Sequence, residues 1–407
     1  MDNVLFIAQY FPPGNTVAAR RFTRLGETGN NCFAIRREQA GDNWPAVAGV
    51  TTVSVVVRDL RSQFAGDRLS NHRKAGILRH FLPLRQAFPF LYLTDDGGLH
   101  YRRKAFRIAC DLIERHGITT IFSSFRPWSD HLVARRLKRK YPHLRWIADF
   151  RDLPVDAVRK DIWWPALQTW WGKRVVRSAD EMWAISEGQR VQFAGWHPKI
   201  EVVRNALMAL PPETPPPVTE RFTVVYTGSL YPDLQTMKPL VTALRNMLAD
   251  GTIDPALLSV MYRGKDDSVF RQWSAELPVA TLDIAPSVAP ATAQKIQRNA
   301  QVLLLLNWSA PGYYGVLTAK LWDYLASGRP ILALVKGPGD RELSDIILGA
   351  NAGAVLGLEE QGEVETWLRA AYQRWSREGS LPWPVDRDRL KKHLPPKGGA
   401  LRPHHRR

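Results

Sequence analysis

The stretch 317–334, LTAKLWDYLASGRPILAL, contains the signals that decide the fold. Its first half repeats apolar residues with the period of an amphipathic helix, and its second half is a short apolar run typical of a buried strand. Gly328 and Pro330 separate the halves, since glycine commonly ends a helix and proline does not continue one. A helix that leads directly into a buried strand predicts a parallel α/β sheet.

The same alternation continues in both directions along the chain. Short apolar or β-branched runs are separated by helical segments, and they include NVLFI, NCFAI, VTTVSVVV, GITTIFSSF, RWIADF, DEMWAIS, FTVVYTGSL, ALLSVMYRG and QVLLLLNW. Such alternation predicts parallel sheets with helices on both faces. The expected fold class is therefore α/β, with two Rossmann-like, doubly wound domains that face each other across a cleft. Ligands bind at the carboxyl ends of the strands in such sheets.

A proline cluster interrupts this alternation near the middle of the chain. The segment MALPPETPPPVTE cannot form a helix or a central strand and is typical of a stiff connector. We therefore predict an N-terminal domain over residues 1–208, a Pro-rich linker over 209–219 and a C-terminal domain over 220–375. Residues 376–407 are expected to form a C-terminal segment and a basic tail.

The composition indicates a globular protein with an anionic partner. The chain has 407 residues, of which 45% are hydrophobic, and its net charge is +17. Nucleic acid, anionic lipid and a phosphate-bearing substrate all fit that charge. Two cysteines are too few for a disulfide framework. The sequence contains no run of about 18 apolar residues, so no membrane-spanning helix is predicted. We expect a cytoplasmic protein.

The positive charge is concentrated in residues 58–107. This segment has eleven Lys and Arg against four Asp, with aromatic residues such as Phe88 and Tyr92 interspersed. Basic residues beside aromatic ones suit an anionic membrane surface, where each cation contributes about 1 kcal/mol. The segment therefore predicts peripheral attachment at the inner face of the membrane. The tryptophan pairs in DIWWPALQTWW fit either the headgroup level or a protein core.

Five stretches together resemble the GT-B fold glycosyltransferases of the retaining family 4 (glycosyltransferase group 1) type. They are FIAQYFPPGNTVAARRFTRL, SSFRPWSDHLVARRL with WIADFRDLP, RSADEMWAISEG with VVRNA, VVYTGSLYPD and TAKLWDYLASGRPILAL. The resemblance implies transfer of a sugar, with retention and without a metal, from a nucleotide-diphosphate sugar that serves as co-substrate; no other cofactor is implied. The implied acceptor is a glycan or polyprenyl-linked glycan in surface polysaccharide biosynthesis.

The resemblance also makes residues 1–208 the acceptor-side domain and residues 220–375 the nucleotide-sugar-binding domain. It therefore implies donor-binding residues in the second domain. Asp323 matches the acidic residue that accepts hydrogen bonds from the ribose, and Gly315 and Thr318 lie on the approach to the diphosphate. Lys320 either contacts phosphate or faces solvent. Lys238 matches a lysine that neutralises the diphosphate.

Two positions depart from the family pattern, and one further donor residue is expected in the first domain. Gly315 stands where the family often has a glutamate, and Ser229 stands where it has an arginine, so Arg263 is a candidate replacement for the missing cation. Gly14, in the opening loop, would permit close backbone approach to the donor.

The catalytic candidates lie in the first domain. Asp149 and Asp152, in DFRDLP, could orient the acceptor, with Arg151 balancing their charge; an internal Asp–Arg pair that fixes the loop is the alternative. His131 is expected either to line the cleft or to have a structural role. No spacing of His, Cys or carboxylate residues indicates a metal site.

Other classes of function remain as alternatives. A GT-B subunit that binds without catalysis would explain the departures at Gly315 and Ser229. A sugar-nucleotide epimerase of the same fold would need more carboxylates. A nucleic-acid-binding protein would fit the charge, but the sequence has no helix-turn-helix, zinc or RNA-binding motif.

Overall fold

The structure, a computed structural model, describes residues 3–11, 21–22, 31–39, 49–57, 98–156, 162 and 164–394. The chain divides into two compact units. Unit 1 contains the described residues up to Ile185 together with Phe193–Val203. Unit 2 contains Ser186–Gln192 and the described residues from Arg204 onward, so a short piece that directly follows a strand of unit 1 belongs to unit 2.

Unit 1 is built on a parallel sheet of seven strands in the order β3-β2-β1-β4-β5-β6-β7. The strands are β1 (Asn3–Ile7), β2 (Asn31–Gln39), β3 (Val50–Val57), β4 (Thr120–Phe125), β5 (Arg145–Phe150), β6 (Glu181–Ala184) and β7 (Ile200–Val202). Its described helices are α1 (Gly98–His116), α2 (Trp128–Lys140) and α3 (Pro165–Val176).

Unit 2 is built on a parallel sheet of six strands in the order β10-β9-β8-β11-β12-β13. The strands are β8 (Phe222–Thr227), β9 (Leu258–Arg263), β10 (Leu282–Ala285), β11 (Val302–Trp308), β12 (Ile331–Lys336) and β13 (Gly353–Gly357). The helices are α4 (Glu187–Gln192), α5 (Lys238–Ala249), α6 (Asp267–Trp273), α7 (Pro290–Asn299), α8 (Ala319–Ser327), α9 (Arg341–Gly349), α10 (Gln361–Glu378) and α11 (Arg387–Lys391), with 3-10 turns at Pro255–Leu257 and Val279–Thr281. No helix in the described part of either unit is long and apolar enough to cross a membrane.

Continuous apolar strands explain the layers of unit 2. All seven residues of β11 are buried, as a strand covered by helices on both faces requires. Leu303 and Leu305 pack in one core with Leu321 of α8, whereas Leu304 and Leu306 pack in a second core on the other face of the sheet. Alternate side chains of a strand point to opposite faces, so one apolar run supplies both cores.

The stretch 317–334 forms the helix and strand that its pattern predicts. Helix α8 ends at Ser327, and Gly328 follows in the left-handed conformation (φ 71°) that caps helices. Strand β12 then begins at Ile331 and pairs in parallel with β11. Together with the second parallel sheet, this confirms the prediction of an α/β fold with two doubly wound sheets.

The compact units do not end at the predicted domain limits. The chain passes into unit 2 between Val203 and Arg204, and the Pro-rich segment 209–219 lies within unit 2 without forming a helix or strand. Its last residue, Thr219, donates its N–H to the Gly379 carbonyl (2.9 Å), so this segment is hydrogen-bonded to the end of α10.

Unit 2 also extends beyond the predicted limit at residue 375. Helix α10 continues to Glu378, and the side chains of Leu381 and Leu390 are fully buried in the two cores of unit 2. The described residues after α10 therefore contribute to the packing of this unit.

Candidate functional site

The order of the strands in unit 2 reverses between β8 and β11. The chain runs outward from β8 through β9 to β10 on one side, and from β11 through β12 to β13 on the other. In open parallel sheets, the loops that leave two such central strands diverge, and ligands bind in the crevice outside their carboxyl ends. The loops 228–237, after β8, and 309–318, after β11, are therefore the candidate site.

Lys320 connects the start of α8 with the end of β8. Its Nζ atom lies 3.5 Å from the centroid of the Tyr226 ring. A Cβ atom on Gly228 would lie 3.3 Å from the Cε atom of the lysine. No carboxylate in the described part of the chain forms an ion pair with Lys320, and burial lowers its pKa to about 7. The half-buried ammonium group therefore lies against a π face and a glycine, with no carboxylate counter-ion in the described part of the chain.

Three tyrosines fix the turn that follows β8. Tyr262 donates its hydroxyl to the Gly228 carbonyl (3.1 Å), and Tyr226 donates to the Ser229 carbonyl (2.7 Å). The Tyr324 hydroxyl, on α8, accepts the N–H of Thr227 (3.1 Å). Gly228 has φ 112°, which glycine adopts without strain, so the turn needs glycine at this position.

Asp340 holds the loop that leads into α8. It is buried, and its carboxylate accepts the N–H groups of Gly315 (2.9 Å), Val316 (3.2 Å) and Leu343 (3.1 Å). Burial raises the pKa of Asp340, and the backbone hydrogen bonds act against that increase. One carboxylate therefore caps α9 and fixes the approach to α8. Thr318 precedes α8 and its side chain makes no capping hydrogen bond.

Gly315 lies in a position that excludes a side chain. Its φ is 74°, and a Cβ atom would lie 2.6 Å from Oε2 of Glu342 and 2.9 Å from Oγ of Ser186. Glu342 is itself held in place, because it accepts the Gly188 N–H (3.2 Å) and Nε of Arg204 (2.9 Å). The Glu342 carboxylate thus occupies the space in which a side chain at position 315 would begin.

The other donor-binding candidates lie around the same edge of the sheet, with different environments. Asp323 is partly exposed on α8, one turn after Lys320. Lys238 is the first residue of α5 and is exposed. Arg263, at the end of β9, pairs with Asp283 (2.8 Å) and donates to the carbonyl oxygens of Tyr262 and Asp283. Its charge is therefore already balanced, in contrast to that of Lys320.

Asp149 lies at the carboxyl end of β5 in a buried network. Arg21 donates to both of its carboxylate oxygens (2.6–3.2 Å), and Ser124 donates to Oδ2 (2.8 Å). Arg151 donates in turn to the Ser124 hydroxyl (3.1 Å). Asp149 thus forms an internal Asp–Arg pair, the alternative that the sequence left open, but its partner is the distant Arg21. Removing one member of a buried pair typically costs about 3–5 kcal/mol.

His131 and Asp152 differ in exposure. His131 has no exposed surface, its Nδ1 lies 2.7 Å from Oγ of Ser123, and its ring packs on Phe150. Burial lowers its pKa to about 3, so the ring is neutral at physiological pH. Asp152 is exposed. Catalytic roles for these two residues and for Asp149 stay predictions, and Gly14 and residues 58–97 lie outside the described part of the chain.

Sequence reasoning missed Asp340, Glu342 and Tyr226. An Asp before the apolar pattern of α9 is a recognisable cap signal. That signal does not reveal which loop the same carboxylate holds, because Gly315 is 25 residues away. Within the described residues, no group of three or more His, Cys, Asp or Glu side chains could hold a metal ion.

Comparisons with known proteins identify the fold. No family model and no curated protein sequence matches the chain. Among solved structures, sucrose-phosphate synthase from Thermosynechococcus elongatus superposes with a TM-score of 0.61 at 12% identity, covering 97% of this chain and 94% of that one. The UDP-forming trehalose-phosphate synthase from Burkholderia xenovorans, in complex with glucose-6-phosphate, gives 0.56 at 10% identity and 97% of both chains.

A third similar structure contains a nucleotide sugar. The Escherichia coli trehalose-6-phosphate protein bound with UDP-2-fluoro glucose gives a TM-score of 0.54 at 10% identity, covering 96% of this chain and 98% of that one. The expectation from the sequence motifs is confirmed at the level of the fold: the chain has the GT-B architecture, with one Rossmann-like sheet in each unit.

Proposed function

We propose that this protein transfers a glycosyl group from a nucleoside-diphosphate sugar, and that unit 2 binds this donor at the carboxyl ends of β8 and β11. The environment of Lys320 carries the proposal. Its ammonium lies half-buried beside Gly228 without a carboxylate partner in the described chain, at the start of a helix whose dipole also favours negative charge. A diphosphate would supply the missing counter-charge.

The same groups would assist the chemistry. Negative charge develops on the diphosphate as the sugar leaves, and preorganised donors at that position stabilise the transition state more than the ground state. Lys320 and the first N–H groups of α8 would provide this stabilisation. Asp323, one turn further along α8, would accept the ribose hydroxyls, and the exposed Lys238 would add a second cation.

The finer features of the proposal follow the family resemblance of the sequence. They are retention of configuration, independence of a metal, and a glycan or polyprenyl-linked acceptor in surface polysaccharide biosynthesis at the cytoplasmic side of the membrane. The similar structure that contains UDP-2-fluoro glucose supports a nucleotide-sugar donor. A GT-B subunit without catalysis would share the donor site but would not turn over a donor.

Thermal denaturation with nucleoside diphosphates tests the donor site. We expect UDP, ADP or GDP at millimolar concentration to raise the melting temperature of the full chain, and Lys320→Ala to weaken binding by about 1.5–3 kcal/mol, the worth of a charged hydrogen bond. Lys295→Ala changes an exposed lysine on α7 and serves as the matched control. An unchanged melting curve with every nucleoside diphosphate would contradict the proposal. Turnover of a panel of nucleotide sugars then separates the enzyme from the binding subunit.

A further inference from the structure

A strongly basic groove lies between α1 and α2 of unit 1. Its volume is about 360 Å³, and aliphatic side chains, among them Leu99 and Leu132, line it together with arginines. The arginines are Arg102 and Arg103 from α1 and Arg135, Arg136 and Arg139 from α2. The α2 residues follow helical spacing from Leu132, so one face of that helix points into the groove.

Within the described part of the chain, the groove arginines lack counter-ions, whereas other cations on the same two helices are paired. Lys138 pairs with Asp180 (2.8 Å), Lys140 with Glu114 (3.3 Å) and Arg115 with Asp111 (2.7 Å). Within the described chain, none of the five groove arginines forms an ion pair with a carboxylate. Unpaired positive charge is therefore concentrated at the groove.

Holding these arginines together has an electrostatic cost. Burial and the adjacent Arg103 lower the pKa of Arg102, and burial with Arg139 and Arg174 lowers that of Arg135. The Arg136 guanidinium lies 4.0 Å from the centroid of the Phe106 ring, so a ring of α1 supports an arginine of α2. An anion in the groove would relieve the repulsion.

Exposed apolar side chains lie beside the arginines. Leu99, in the wall of the groove, is 46% exposed, and Leu167 and Trp170 on the neighbouring α3 are 44% and 56% exposed. Arg174 connects the two features, because its guanidinium lies 5.3 Å from the centroid of the Trp170 ring and its charge acts on Arg135. Exposed leucine and tryptophan side chains beside arginines suit the headgroup layer of an anionic membrane.

We propose that the α1–α2 groove binds the phosphate headgroups of an anionic lipid membrane, with Leu99, Leu167 and Trp170 entering the headgroup layer. This goes beyond the sugar-transfer function and does not depend on it. It also assigns membrane contact to defined residues on α1, α2 and α3, whereas most of the segment 58–107 lies outside the described chain.

Vesicle flotation of the full-length protein tests the proposal. We expect binding to vesicles of phosphatidylcholine with phosphatidylglycerol at physiological salt, and no binding to pure phosphatidylcholine. Arg135→Glu with Arg139→Glu should weaken binding about tenfold or more. The control, Lys295→Glu with Arg298→Glu, makes the same charge change on exposed residues of α7 in unit 2 and should bind like wild type.

A second variant and a second ligand keep the outcome decisive. Arg135→Gln with Arg139→Gln removes the charges without reversing them and should also weaken binding, while both variants keep the wild-type circular dichroism spectrum. Equal binding to neutral and anionic vesicles, or equal losses in the groove and control variants, would overturn the proposal. So would an RNA mobility shift that needs these arginines in a protein that ignores anionic vesicles. A nucleoside-diphosphate melting assay on the groove variant reports separately on the donor site.

Discussion

At the scale of single residues, Lys320 has a proton equilibrium near neutrality. Burial lowers its pKa to about 7 in the free protein, so above that pH a growing fraction of the side chain is neutral. A bound diphosphate would favour the charged form. The protein should then take up a proton when it binds the nucleotide at pH 8.

This uptake leads to a pH prediction. We expect nucleoside-diphosphate affinity to fall as the pH rises from 7 to 9, and calorimetry in buffers of different ionisation enthalpy should detect proton uptake. Lys320→Arg keeps its charge throughout this range and should lose both effects. A flat affinity profile for wild type would contradict the assignment of Lys320.

The lowered pKa of Lys320 affects folding stability in the direction opposite to its effect on nucleotide affinity as the pH rises. The pKa of Lys320 is lower in the folded chain than its ordinary value of 10.5, so the unfolded chain binds more protons between pH 7 and that value. The contribution of this group to the free energy of unfolding therefore increases as the pH rises through that range. Binding and stability measurements thus give independent checks on one titration.

Glycine at positions 312 and 315 is favoured for different reasons, backbone conformation alone at 312 and backbone conformation with steric exclusion at 315. Both have positive φ (74° and 73°), but a Cβ atom at 312 has no neighbour within 4 Å, whereas one at 315 collides with Glu342 and Ser186. We predict that Gly312→Ala costs about 1–2 kcal/mol from backbone strain alone. Gly315→Ala should cost more than Gly312→Ala. Urea unfolding of the two variants measures the difference, and equal losses would show that the collision is relieved at no cost.

At the scale of elements, the long apolar runs were predictable and the short strands were not. QVLLLLNW and RPILALV form β11 and β12 because seven and five consecutive buried residues allow only a covered strand. The sequence analysis did not identify β10 and β13, which have only four and five residues, all partly exposed. Short, half-buried strands depend on pairing with a neighbour, which local sequence does not encode.

The local structure of the candidate donor site was predictable, but the environment of its residues was not. The motif predicted that Gly315 and Thr318 lead into a helix that carries Lys320 and Asp323, and the structure has that helix at Ala319–Ser327. That these four residues bind a donor stays a prediction. The motif could not decide whether Lys320 faces solvent, because the answer depends on β8 lying next to β11, and their pairing joins residues 224 and 302.

Asp340 joins two elements, and its removal should affect both. We predict that Asp340→Ala lowers the free energy of unfolding by about 1–3 kcal/mol, because buried N–H groups of Gly315 and Leu343 lose their acceptor. Asp386→Ala removes a cap from α11, where Asp386 accepts the Arg389 N–H and is exposed. Chemical denaturation should give a clearly smaller loss for Asp386→Ala, about 0.5–1 kcal/mol. Equal losses would mean that the bonds to the α8 approach loop add nothing.

At the scale of the whole molecule, each unit has its own sheet and buried core, and the candidate donor site belongs to unit 2. Hydrogen exchange should therefore report where the nucleotide acts. We expect UDP, or whichever diphosphate binds, to slow exchange most in residues 226–238 and 309–321, since a ligand stabilises the elements that contact it. Protection confined to unit 1 would place the donor elsewhere.

The assignment of Ser186–Gln192 to unit 2 matters for recombination between related enzymes. The Gly188 N–H bonds Glu342, and a Cβ atom at this glycine would lie 1.8 Å from the Tyr314 carbonyl oxygen. A hybrid that takes its C-terminal half from a related protein, with a single crossover at residue 204, would retain residues 186–192 of this chain. Those residues would then pack against a C-terminal half of different sequence. Functional chimeras would therefore require that residues 186–192 be exchanged together with the C-terminal half.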